Sequence, residues 1–132
     1  FIADKNAASG SHTLRIQLPS FRGNLLIKTL DVPIVRPEAV IEVPIPQRKI
    51  SGARVNLFGR PYFFNVKSPA QLNFSWQAAG QPGEASSEPQ NLNLSLGQNI
   101  PSGTTIPVKL SINNPENIFE AASKTINLVF SQ

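Results

Sequence analysis

Cysteine and methionine are absent from the 132 residues, and histidine, tryptophan and tyrosine occur once each. Without cysteine there is no disulfide framework, no thiolate zinc site and no thiol nucleophile. A single histidine cannot build a multi-histidine metal site. No apolar run approaches the ~18 residues of a membrane span. The opening residues also lack the basic-then-apolar order of a signal peptide. With no methionine and a start at Phe1, the chain is expected to be a processed product or a piece of something longer. Helix signals are scarce as well. The 12 prolines and 8 glycines leave few windows of three helical turns free of both. A chain of this length suits one domain plus an extra segment and buries roughly two-thirds of its unfolded surface without a covalent staple.

The formal charge is +4 and unevenly spread. Residues 1–67 carry ten basic side chains against Asp4, Asp31, Glu38 and Glu42, a balance of +6. Residues 68–132 carry Lys109 and Lys124 against Glu84, Glu88, Glu116 and Glu120, a balance of −2. Such asymmetry can serve an anionic partner. Its plainer meaning is a solvated sheet face whose lysines and arginines block edge pairing. The basic residues are spaced singly apart from the adjacent Arg48 and Lys49, which favours the plainer meaning.

What is present is two-residue alternation. Leu14–Leu18 alternates, and Leu25–Leu30 follows the turn signal Gly23-Asn24. Ala39–Val43 lies between Pro37 and Pro44, and Arg54–Phe58 follows Ser51-Gly52. In the second half, one face collects Leu72, Phe74 and Trp76, and the next Leu92, Leu94 and Leu96. Ile106, Val108, Leu110 and Ile112 form a third apolar face, and Ile126, Leu128 and Phe130 a fourth. Mostly polar residues fill the opposite faces, as in antiparallel sheets with one wet side. Polar turns at 80–89, 97–103 and 113–117 separate these segments. Pro107 inside a strand predicts an edge or a bulge. Ile118–Ser123 reads as a single helical turn or a crossing segment. No internal repeat declares itself.

The segment Leu72-x-Phe74-x-Trp76-x-x-x-Gly80, followed by Gly103–Asn113 and a closing strand Lys124–Phe130, resembles the core strands of immunoglobulin-like and PKD-like sandwiches. Val35-Arg-Pro-Glu38, Arg60-Pro-Tyr-Phe-Phe64 and Leu72-Asn-Phe-Ser-Trp76 in that order resemble uncharacterised repeats of this kind in predicted surface proteins of candidate-phyla-radiation bacteria. Two departures stand out. Ala79 replaces the Asn of a W-x-x-N-G hairpin, and 43–49 lacks the tyrosine and acids that follow R-P-E in those repeats. The resemblance carries over no catalytic residues.

The same residues bound the candidate sites. His12 sits in a small-residue stretch and is a poor candidate for a catalytic base. Glu84/Glu88 and Glu116/Glu120 are the only close acid pairs of the second half, and they read as solvent-facing loop charge rather than glycosidase carboxylates. Glu116 and Glu120 are the least unsuitable calcium ligands in a chain with no Asp-x-Asp. Arg54, Phe58, Arg60, Tyr62 and Lys67 come nearest to a nucleic-acid surface, but Tyr62-Phe63-Phe64 follows Pro61 and is expected to bury at least one ring as core. Trp76 reads as core rather than a carbohydrate platform. Asn73-Phe-Ser75 and Asn93-Leu-Ser95 match the glycosylation sequon but read as a polar outer face in a bacterial protein.

The expected fold is therefore all-β, an antiparallel Ig-like or PKD-like β-sandwich of about seven to nine short strands. Residues 36–132 form the sandwich. Residues 1–35 supply its first strands or remain from a preceding repeat, with the first preferred because a lone hairpin is marginal in water. The expected role is a non-enzymatic structural or adhesion module of a larger extracellular or cell-surface protein. No catalytic, cofactor or metal site is expected. Its partners would be a protein or glycan at the surface, neighbouring repeats, or copies of itself. One alternative is a module for glycan or an anionic polymer, using Arg48, Lys49, Arg54 and Arg60. Another is a filament or pilus-like subunit assembling by strand exchange through the N-terminal segment.

Overall fold

The computed structural model describes residues 10–19, 23, 25–52, 54–83, 87–97 and 99–131. The chain divides into two compact units, 1–36 and 37–132. The first is an antiparallel hairpin of β1 (Gly10–Pro19) and β2 (Leu25–Ile34), a two-stranded sheet in which Leu14 faces Leu30 and Leu18 faces Leu26. Thr13 Oγ1 donates to Asp31 Oδ1 at 2.7 Å across the other face.

The second unit is a sandwich of eight strands among the described residues. These are β3 (Glu38–Glu42), β4 (Lys49–Ile50), β5 (Arg54–Tyr62), β6 (Asn73–Ala78), β7 (Gln81–Pro82), β8 (Asn91–Ser95), β9 (Thr105–Asn114) and β10 (Asn117–Phe130). One sheet has the order β3-β5-β8 and the other β4-β10-β9-β6-β7. All pairings are antiparallel except the short parallel one, Lys49–Ile50 beside Val129–Phe130. The fold is thus the expected all-β, antiparallel-dominated sandwich.

Local chemistry explains the path. Pro44 and Pro46 cannot donate to a ladder, so pairing of β3 with β5 stops at Glu42. A tight 3-10 turn at Pro46–Arg48 then delivers β4 to the other sheet. Ser68 starts a second 3-10 turn with a full capping box, its side chain accepting from Ala70 N while Gln71 reaches back to the cap backbone. The edge strands are short, two residues for β4 and β7 and five for β3 and β8, a common way to limit edge-to-edge association.

One core joins the two sheets. Ala39, Ile41, Val55, Leu57 and Leu92 meet Trp76, Ile106, Val108, Leu110, Ile112, Ile126 and Leu128, with Ile50 and Leu72 in the same cluster. The core residues expected from alternation in the second half point inward, with Phe74, Leu94 and Leu96 partly buried rather than buried. Each fully buried Leu or Ile contributes about 1.5–3 kcal/mol.

Two local expectations change. Pro107 lies in the central strand β9, not at an edge. Its carbonyl accepts from Ala79 N at 2.8 Å, so its donorless nitrogen also faces Ala79, where β6 has ended and the chain turns. The missing N–H therefore costs no ladder bond within β6. Residues 118–123 form neither a helical turn nor a crossing loop; they belong to β10, with a register shift between Asn117 and Ala121. The bulge accommodates the extra residues without ending the strand.

Candidate functional site

The sandwich presents two chemically distinct surfaces. The first is the outer face of the β3-β5-β8 sheet. Val55, Leu57 and Gly59 point inward, so Arg54, Asn56, Phe58 and Arg60 point out. Across the β5–β8 ladder Arg54 faces Ser95 and Asn56 faces Asn93. These four polar residues form a two-by-two block lining a shallow open cleft. Such a surface offers one permanent cation flanked by amide and hydroxyl groups that can both donate and accept. Arg54 has no ion-pair partner among the described residues. Arg60 does: its Nε lies 3.0 Å from Glu42 Oε2, both side chains being about half exposed (49% and 48%). Solvent screening makes that pair worth little for stability, but it offsets the charge of Arg60.

The four basic residues singled out in sequence are distributed as follows. Arg54 and Arg60 share strand and face, six residues and so roughly 20 Å apart. Lys49 is exposed on the edge strand of the other sheet, and Arg48 precedes it in the 3-10 turn. Lys49 and Arg54 nevertheless fall at the same end of the sandwich, because β4 pairs with the end of β10 and β5 begins there.

The opposite end holds the second surface. Tyr62, Phe63, Ile118 and Phe119 are all exposed there, at 46%, 57%, 81% and 62%. The Tyr62 and Phe63 rings lie 6.3 Å apart and tilted. Beneath them Glu120 ties the β5–β6 connection to the β9–β10 hairpin. Its Oε2 accepts from Asn65 N at 3.0 Å and from Asn114 Nδ2 at 2.9 Å, and its Oε1 from Asn117 Nδ2 at 3.0 Å. Asn114, the one buried polar residue among those described, also accepts from Glu116 N at 3.0 Å. The Glu120 carboxylate is thus surrounded by N–H donors, the reverse of what a cation requires. This clasp was not legible in sequence, where 113–117 read only as a turn.

Trp76 is buried, and its Nε1 donates to the Pro89 carbonyl at 3.1 Å, which leaves no exposed indole platform. His12 lies in β1 opposite Val32. Glu88 accepts from the Asn91 amide, while Glu84 lies outside the described residues. Asn73 and Asn93 are both exposed, on the polar faces of β6 and β8. Among the described residues no group of three or more His, Asp or Glu is gathered as a metal site. No helix among them is long and apolar enough to cross a membrane.

These features define an all-β sandwich with one polar sheet face and one apolar end. No protein-family model matches the chain, and no curated protein matches it in sequence.

Proposed function

We propose that the chain is a non-enzymatic structural module of a larger cell-surface or exported protein, acting as a stiff spacer between what lies on either side of it. The observation that carries this reading is the path of the chain. The sandwich starts at Glu38, opposite Tyr62, and finishes at Phe130, beside Ile50 at the far end. Strands of ten residues make the distance between those ends roughly 35 Å. The strand order supports the Ig-like reading: of the sandwich's six strands of five residues or more, the first, second and fourth form one sheet and the third, fifth and sixth the other, with the short β4 carrying the first segment over to the second sheet. A load along the long axis falls in shear on the β4–β10 pairing and on the Ser131 N to Ile50 O bond of 2.9 Å.

Force spectroscopy on the full chain, held by its two ends, tests the reading. A spacer should give one cooperative rupture with a length gain of about 30 nm for the sandwich. Smooth extension without a rupture peak would reject the load-bearing role.

A second reading has an observation of its own. The cleft of Arg54, Asn56, Asn93 and Ser95 supports a module for glycan or an anionic polymer, with Lys49 and Arg48 toward the same end.

A further inference from the structure

The exposed apolar face of the β1–β2 hairpin has a counterpart within the chain. Thr13-Leu-Arg-Ile-Gln-Leu18 in β1 matches Thr105-Ile-Pro-Val-Lys-Leu110 in β9. Lys28-Thr-Leu-Asp-Val-Pro-Ile34 in β2 matches Lys124-Thr-Ile-Asn-Leu-Val-Phe130 in β10. Threonine, leucine, lysine and threonine are identical at four positions, and on one face every matched position is apolar in both except the shared lysine, Lys28 and Lys124, at the start of the second strand's match. In the first hairpin Leu14 faces Leu30 and Ile16 faces Lys28. In the second Val108 faces Ile126 and Leu110 faces Lys124. The registers differ by two residues, which keeps every side chain on its own face.

What differs is the cover. Ile106, Val108, Leu110, Ile126, Leu128 and Phe130 are each 8% exposed or less, and the opposing sheet supplies Ala39, Ile41, Val55, Leu57 and Leu92 to their core. Their equivalents Leu14, Ile16, Leu18, Leu30 and Val32 are between 37% and 57% exposed. A two-stranded ribbon with such a face is marginal in water until a third element covers it. Only Val35, Arg36 and Pro37 separate β2 from the first strand of the sandwich.

We infer that β1–β2 is the closing hairpin of a preceding sandwich of the same architecture, and that its apolar face docks the three-stranded sheet of that sandwich. The occupant is identified by the second hairpin, where the same pattern on the same face is covered by such a sheet. The inference rests on the reading of this chain as one module of a larger protein.

Trp76 is the only tryptophan, so its fluorescence reports unfolding of the 37–132 sandwich alone. The test compares the 132-residue chain with the parent polypeptide extended upstream, each with and without Leu30→Asp, by Trp76 melting, light scattering and hydrogen exchange. In the 132-residue chain Leu30→Asp should leave the Trp76 midpoint unchanged and the chain monomeric. The β1–β2 amides there should exchange about a hundredfold faster than those of β9–β10. In the extended chain the two hairpins should be protected to within about tenfold of each other, and Leu30→Asp should abolish that protection for β1–β2 only. A lowered Trp76 midpoint would overturn the inference by showing that the 37–132 sandwich covers the face. A dimer broken by Leu30→Asp would overturn it in favour of a second copy, and an unprotected hairpin in the extended chain would leave it without an occupant. Each of these failures leaves the spacer reading standing, whereas loss of the rupture peak would remove the spacer role with the exchange result intact.

Discussion

At the scale of single residues, the packing around Trp76 depends on what its neighbours lack. A Cβ placed on Gly59 would lie 2.8 Å from Leu110 Cδ2 and 3.1 Å from Trp76 Cζ2. Gly59 therefore lets β5 approach the indole closely enough to seal the core. Gly59→Ala should overpack this spot and lower stability by about 1–3 kcal/mol in chemical denaturation followed by Trp76 fluorescence. Ala79 presents the opposite case. With Gly80 it forms the two-residue connection between β6 and β7, and both residues have positive φ, 49° and 78°. That is the geometry of a type I′ hairpin turn, which favours Asn-Gly over Ala-Gly. Ala79→Asn relieves a left-handed alanine and should raise stability by about 0.5–1 kcal/mol in the same assay. The two substitutions thus have opposite expected signs, although both add atoms. An unchanged or lowered midpoint for Ala79→Asn would mean that the turn is not strained.

At the scale of elements, the Glu120 clasp holds together parts that no ladder joins. The β5–β6 connection pairs with no strand from Phe63 to Leu72, and Asn65 N is secured by a carboxylate from β10. Glu120→Ala removes three accepted hydrogen bonds and leaves the amide of buried Asn114 without this partner. The expected loss is about 1–3 kcal/mol, with faster exchange at the Asn65 amide while β3, β5 and β8 keep their protection. Uniform loss across the sandwich would show that the clasp acts on the whole fold rather than on one end. The contrast with the strands shows what alternation conveys. Leu92, Val108, Leu110, Ile126 and Leu128 are legible as core because a period of two on a half-wet sheet leaves little choice of face. Ala39, Ile41, Val55 and Leu57 are buried as deeply but lie in segments broken by proline and glycine, where the pattern is short. Glu120 lies 55 residues from Asn65 in sequence, and no local signal couples a glutamate to a backbone N–H at that separation. The polar cleft falls between these cases. Alternation puts Arg54 and Asn56 outside, but only the pairing of β5 with β8 sets Asn93 and Ser95 beside them.

At the scale of the whole molecule, the +6 and −2 balances of the two halves become a question of placement. Within the sandwich, Arg60 is answered by Glu42, whereas Lys49 and Arg54 lie toward the end where the chain finishes. Surface charges separated by more than about 8 Å are largely screened at physiological salt. An anionic polymer held here should therefore engage the Arg48–Arg54 end and not the length of the sheet. Binding of the full chain to a polyanion such as polyphosphate should weaken steeply as salt rises from 50 to 500 mM. Arg54→Ala should reduce it several-fold, and Arg60→Ala, which removes a charge already offset, should change it little. Both substitutions lie on exposed positions and should leave the Trp76 unfolding midpoint in place, so loss of binding can be separated from loss of fold. Equal effects of the two would indicate diffuse attraction to the net charge, and insensitivity to salt would reject the anionic-polymer reading. Either of those outcomes leaves the proposed spacer role in place, with the polar sheet face then serving solubility and edge protection.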